Sequence, residues 1–147
     1  MTPGRETLEL VRYYDAPPER VFAAWTDVST LGRWFGCADD RLWRIHAWEV
    51  RPGGRIHVSL DFDGKPFVVE GEFLVVERPR RLHYRWQGDQ RIEVEIEAHG
   101  AGSRLRLRHD YPAGGGLRPI LTSGWSHSLD ALGAAAAAER HDARPAE

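Results

Sequence analysis

From Trp43 to Tyr111 the chain alternates apolar and polar residues in short runs, and that period of two constrains the fold more than any other feature. Side chains along a strand point to opposite faces in turn, so such runs build a sheet with one apolar and one wet face. Ile56, Val58, Leu60 and Phe62 fall on one parity, and Arg55, His57, Ser59 and Asp61 on the other. Ile92, Val94 and Ile96 alternate with Glu93, Glu95 and Glu97. Leu105, Leu107, His109 and Tyr111 alternate with Arg104, Arg106, Arg108 and Asp110. Acids on one run and arginines on the next predict antiparallel neighbours, because opposite charges pair across adjacent strands. Arg44 to Val50, Phe67 to Glu77 and Leu82 to Trp86 are the remaining runs. Turn signals at Arg51-Pro52-Gly53-Gly54, Asp63-Gly64, Arg78-Pro79, Gly88-Asp89 and Gly100-Ala101-Gly102 separate them. Successive hairpins demand a meander.

The flanks read differently. Thr7 to Tyr14 is one more strand. Asp15-Ala16-Pro17-Pro18-Glu19 opens a helix through Val21, Phe22 and Trp25, since proline and an acid suit a first turn. Asp27 or Ser29 caps a second short helix that ends near Trp34-Phe35, with Gly36 closing it. After the loop at Pro112 to Gly116, Leu117, Leu121, Trp125, Leu129, Leu132 and Ala136 form an amphipathic stripe. It predicts one long helix over Leu117 to Glu139, followed by a polar tail at 140–147 that frays. The expected fold is α+β: a curved antiparallel sheet of about seven strands wrapped round a long C-terminal helix, with two short helices after the first strand. One helix covers a curved sheet incompletely, which leaves a space between them.

The length of 147 residues suits a single domain, 1–147, with its core at about 7–139. A net charge of −2 gives no basic excess for a phosphate backbone, so nucleic acid is not expected as a partner. Cys37 is the only cysteine, which excludes an intramolecular disulfide and a thiolate metal cluster. Met1 to Leu10 lacks the apolar stretch of a signal peptide, and no run approaches the ~20 apolar residues of a membrane span. The cytoplasm is the expected compartment.

Several short motifs carry a family resemblance. They are Ala16-Pro17-Pro18-Glu19-Arg20-Val21-Phe22 with Trp25-Thr26-Asp27, Trp34-Phe35, Glu49-Val50-Arg51-Pro52-Gly53-Gly54, Gly71-Glu72-Phe73, Pro79-Arg80-Arg81-Leu82, and Gly124-Trp125 with Leu129-Asp130-Ala131-Leu132. In this order they resemble bacterial proteins similar to the C-terminal domain of the Hsp90 ATPase activator, in the START-like (SRPBCC, Bet v 1-like) superfamily. The resemblance spans residue 7 to about 138. It implies a helix-grip fold with a pocket between sheet and helix, whose mouth lies at Trp34-Phe35. Relatives bind lipids, hormones or polyketides there, and some cyclise polyketides. The eukaryotic activator holds its chaperone through an additional N-terminal domain. This chain opens at the first strand of the helix-grip, so direct chaperone binding is not expected of it.

The residues give few signs of chemistry. The seven histidines show no metal-site spacing, and neither a metal nor a cofactor is expected. No nucleophile elbow, phosphate loop or dinucleotide fingerprint is present. His57 and His83 fall on the wet parity, His99 near a turn, His127 on the polar side of the long helix and His141 in the tail. His109 points inward with Leu105 and Leu107, and His46 shares the parity of Trp48 and Val50, which also predicts an inward ring. Cys37 follows Trp34-Phe35-Gly36 near the expected rim, where it reads as an inert thiol.

Trp48, Phe73, Tyr84, Trp86 and Tyr111 have inward parity, and Trp125 lies on the helical stripe. With Trp34, Phe35 and His109 they define the candidate ligand-binding set, and no residue is assigned as catalytic. The leading expectation is non-catalytic binding of an apolar or aromatic small molecule, oriented by His109, Tyr84 or Tyr111. Replacing Gly71 by Leu is expected to narrow the space. Two alternatives stay open: a polyketide cyclase or hydrolase-like enzyme using His109 or His46 as acid–base group, and a chaperone-associated protein-interaction module. Assembly is open between a monomer and a homodimer.

Overall fold

The computed structural model describes residues 4–38, 41–62 and 64–142, with side chains at 4–35, 43–61 and 64–137. The expectations for the Cys37, Phe62 and His141 side chains and for the tail beyond residue 142 lie outside the described residues. The chain runs β1 (Arg5–Tyr14), α1 (Pro18–Thr26), α2 (Val28–Trp34), β2 (Gly36–Ala38), β3 (Arg41–Leu42), β4 (Arg44–Trp48), β5 (Arg55–Phe62), β6 (Lys65–Glu77), β7 (Arg81–Trp86), β8 (Gln90–His99), β9 (Gly102–Pro112) and α3 (Leu117–Asp142). The main sheet has seven antiparallel strands in the order β1-β9-β8-β7-β6-β5-β4, and β2 and β3 form a separate two-stranded ribbon.

Local chemistry sets the helix ends. Pro18 stands in the first turn of α1 with Glu19 beside it, where neither loses an intrahelical bond. The Asp27 carboxylate caps α2 by accepting from Ser29 N at 3.0 Å. Gly36 does not close α2: Phe35 is the C-cap in an extended conformation, and the chain passes straight into β2. Phe35 therefore joins the helix directly to the strand.

The alternation read from the sequence becomes burial almost throughout. Ile56, Val58, Ile92, Val94, Leu105 and Leu107 are buried on the inner face. On the outer face Glu93, Glu95 and Glu97 stand opposite Arg108, Arg106 and Arg104. Arg104 meets Glu97 at 2.9 Å, Arg106 pairs with Glu95, and Arg108 turns instead to Glu9 of β1 at 3.5 Å. Exposed pairs of this kind select register more than they add stability.

The expectation for His46 fails at a β-bulge. The register shifts between Ile45, opposite Val58, and Ala47, opposite His57. His46 is the extra residue, so Ile45 and Trp48 both keep the inner face while His46 is exposed outside. There its Nε2 meets Ser59 Oγ at 2.7 Å, and its ring lies 4.7 Å from that of His57.

Gly71 also departs from expectation. A Cβ there would stand 2.0 Å from the backbone oxygen of Arg85, so the position has no room for any side chain. Gly71→Leu would break the β6–β7 pairing before it narrowed anything.

The long helix lies across the inner face and packs on α1, α2, β1 and the β2–β3 ribbon. Tyr14 Oη of β1 donates to the Leu129 carbonyl at 2.7 Å, and burial pushes its acidity well down. Leu129, Leu132 and Ala136 are buried along the expected stripe, and Trp125 is 8% exposed. Trp125→Ala should cost about 3–5 kcal/mol, as truncations of large buried aromatics do. Urea denaturation followed by circular dichroism measures it; a cost below about 1 kcal/mol, the level of an ordinary surface change, would contradict the packing described here.

Candidate functional site

The interior is organised by where indole N–H groups find partners. The last carbonyls of a helix lack intrahelical donors, and in α1 those of Ala24 and Trp25 face the interior. Trp34 Nε1 donates to the Ala24 carbonyl at 2.8 Å, and Trp48 Nε1 donates to the Trp25 carbonyl at 3.0 Å. An indole from α2 and one from β4 thus cap the end of α1 and fix its distance from the sheet. The rings stay apolar while their polar edges are satisfied.

Phe35 is the hub of the aromatic cluster. Its ring centroid lies 5.6 Å from Trp34 and from Trp48, 5.7 Å from Trp86, 6.1 Å from Trp43 and 6.3 Å from Trp125. Phe73 and Tyr84 join through Trp48 at 5.1 and 5.7 Å. The cluster does not end in the core. Trp43, half-buried, touches Trp86 at 5.6 Å and Phe67 at 6.1 Å, and Phe67 is 47% exposed. A continuous aromatic path therefore runs from the surface to the face of the long helix.

His109 occupies a second part of the interior, 1% exposed. Trp125 Nε1 can only donate, and it lies 2.9 Å from His109 Nδ1. That assigns Nδ1 as acceptor and puts the proton on Nε2, which faces Gln90 Oε1 at 2.6 Å. Both ring nitrogens are thus used inside the protein. Burial pulls the imidazole down from 6.5 to about 4. A protonated ring would also set two N–H donors against each other at Trp125.

Tyr111 is buried as a ring, 5.8 Å from His109. Its hydroxyl leaves the interior: it donates to Glu6 Oε2 at 2.8 Å and accepts from Arg118 at 3.2 Å. Tyr84 differs. Its Oη and Trp25 Nε1 are the two fully buried polar atoms of the cluster with no hydrogen bond among the described residues. Burial pushes the Tyr84 hydroxyl well up, and the Trp25 indole N–H beside it opposes that rise.

Trp34, Phe35, Trp48, Phe73, Tyr84, Trp86 and Trp125 therefore meet in one cluster. His109 and Tyr111 sit behind Trp125, with their polar atoms committed elsewhere. Trp25, Trp43, Phe67 and Gln90 belong to this neighbourhood and are not among the candidate ligand-binding residues expected from the sequence. Gln90 had a legible signal, since it shares the parity of Ile92. Trp43 and Phe67 had none, because their contact depends on how two separate hairpins curve together. The outer face carries a different feature, a polar groove of about 550 Å³ lined by Arg80, Arg81, Glu95, Arg104 and Arg106 among others. Arg81, Arg104 and Arg106 are paired there with Glu77, Glu97 and Glu95.

A curved antiparallel sheet closed over a long C-terminal helix, with an aromatic interior between them, defines a helix-grip protein of the START type. The chain belongs to the family described as activator of Hsp90 ATPase homolog 1-like proteins, whose model matches residues 15–137. An AHSA1-like protein from Aeromonas hydrophila superposes with TM-score 0.77 at 20% identity, over 97% of this chain and 99% of that one. A protein from Chromobacterium violaceum gives TM-score 0.80 at 23% identity, over 87% and 94%. CalU16 from Micromonospora echinospora gives 0.68 at 26% identity, over 94% and 80%. No curated protein matches the chain. Among the described residues no helix is long and apolar enough to cross a membrane, and no three metal-ligating side chains converge.

The burial of His109 makes stability depend on pH. The folded state holds its imidazole near 4 against 6.5 in the free side chain, so the unfolded state binds the proton first as pH falls. The contribution is complete above about 6.5 and is lost between 6.5 and 4, about 3 kcal/mol in all. His109→Phe should abolish that component and also leave Trp125 Nε1 unpaired, costing about 1–3 kcal/mol at neutral pH. Denaturant midpoints of both proteins between pH 4 and 7 read out the difference. Parallel curves would show that His109 does not titrate as described.

Proposed function

We propose that this protein is a binding domain for an apolar or aromatic small molecule, held between the sheet and the long helix. The aromatic path from exposed Phe67 through Trp43 to Phe35, Trp86 and Trp125 carries the reading. A monomer gains nothing in stability by exposing a phenylalanine beside a half-buried indole. A ligand entering an apolar site gains from such a route, because each ring offers it contact as water is shed. Strand β2 packs on α3 directly after Phe35, which supports a part for the hub ring in closing such a site.

Binding is favoured over acid–base catalysis on one observation. A general base needs a free nitrogen within reach of its substrate, and both nitrogens of the interior His109 are bonded to Trp125 and Gln90. His46, the other candidate, stands on the outer face. We also propose that 1–147 acts as one domain.

Tetralin, a neutral bicyclic hydrocarbon, is a suitable probe. Its titration should change tryptophan emission with saturation at one molecule per chain. Phe35→Ala should weaken binding about tenfold, the equivalent of roughly 1.4 kcal/mol of lost contact. Phe67→Ser should slow association more than it changes affinity. Absence of saturable binding by the folded protein would reject the reading.

A further inference from the structure

We propose that the polar groove on the outer face is a second ligand site, which binds a phosphate monoester carried on a polyhydroxylated, non-aromatic compound. Arg80 and Arg81 take the phosphate, and Glu95 and Glu97 take the hydroxyls. The groove lies on the other side of the sheet from the aromatic interior, and the assignment does not depend on the binding reading above.

Adjacent strands bring these groups together. Arg81 of β7 stands opposite Glu95 of β8, Glu95 opposite Arg106 of β9, and Glu97 opposite Arg104. Arg80 extends the ladder one step before β7. Its N–H donates to the Glu77 carbonyl at 2.7 Å, and its own carbonyl accepts from the Ile96 N–H at 2.8 Å. The backbone beneath its side chain is thereby tied to β8. The groove these residues line holds about 550 Å³, a volume within the range of small-molecule sites.

Its charges do not cancel. Four guanidinium groups and three carboxylates line it. Arg104 is hydrogen-bonded to Glu97 at 2.9 Å and Arg106 to Glu95, so both are committed. Arg81 reaches Glu77 only at 3.6 Å, as an ion pair without a hydrogen bond. Arg80 has no ion pair and no side-chain hydrogen bond among the described residues. Two neighbouring guanidinium groups therefore have donors to give, and giving them breaks no hydrogen bond within the protein. The planar fork of arginine matches phosphate oxygens in pairs.

The rest of the lining selects what the phosphate is attached to. Glu95 and Glu97 each spend one hydrogen bond on an arginine, and an ionised carboxylate has about four acceptor sites. They suit hydroxyl donors and repel a second anion. Among the described residues no aromatic ring lines the groove, and Ile96 is its one apolar residue, so a nucleobase finds nothing to stack on. A phosphate beside several hydroxyls satisfies both ends of the groove.

Isothermal titration of the full chain with myo-inositol monophosphate, myo-inositol and inorganic phosphate tests the assignment. The monophosphate should bind one molecule per chain, about tenfold tighter than either of the other two. Arg80→Ala and Arg81→Ala should each weaken it about tenfold. Both residues are exposed, so the variants should keep the fold, which circular dichroism checks. In Glu97→Ala the gap between the two phosphates should close. Inorganic phosphate gains from the lost negative charge, while the monophosphate loses an acceptor for its hydroxyls. Vesicles carrying phosphatidylinositol monophosphate locate the source: co-sedimentation of the protein assigns a lipid headgroup, and its absence a soluble compound, with the same chemistry upheld in both cases. The site is overturned if the monophosphate shows no saturable binding, binds no better than inorganic phosphate, or keeps its affinity in both arginine variants.

Discussion

Trp125 holds the long helix to the rest of the molecule in two ways at once. Its ring stacks on Trp25 of α1 and lies beside Phe35, and its N–H is bonded to His109 of β9. An apolar contact alone would let the helix slide or roll along the sheet, since burial has no direction. The hydrogen bond removes that freedom, because His109 is itself oriented by Gln90 of β8. Helix, sheet and the two short helices are thus referred to one side chain, and the aromatic interior keeps its shape because of it.

The same economy recurs around α1. The Ala24 and Trp25 carbonyls of its last turns face inward, where they would be left without donors, and the indoles of Trp34 and Trp48 supply them. Each indole spends its polar edge on the frame and turns its ring to the interior. Phe35, pinned between α2 and β2 with no helical turn to absorb movement, is then gripped on several sides.

The outer face is built on another principle. Its Arg–Glu pairs repeat across β8 and β9 and extend to β1 through Arg108 and Glu9. Half in water, they contribute little to stability individually. A slip of one residue would turn these charges to the inner face, and that penalises a wrong register.

Much of this could be read from the order of residues, because a strand's faces follow from parity and a helix's stripe from its turn. Ile56 and Val58, Glu95 and Arg106, and Leu129 and Leu132 all lie where those periods put them. Asp27 capped α2 as its short acidic side chain should. The inward set of Trp48, Phe73, Tyr84, Trp86, His109 and Tyr111 was legible for the same reason. Parity says which way a residue points but not what it meets. His46 escaped because a single inserted residue in β4 reverses every face before it, and a bulge leaves no mark on composition. Gly71 looked like room for a side chain until the backbone of β7 was seen against it. His109 looked like an anchor for a ligand, and the fold gave both of its nitrogens to the protein. Periodicity in the residue order carried the three helices, the strands of the main sheet and most of their faces, but neither the β2–β3 ribbon nor the bulge in β4. Which buried polar atoms find each other depends on the packed fold, because hydrogen bonding turns on distances of a few tenths of an ångström between strands far apart in the chain.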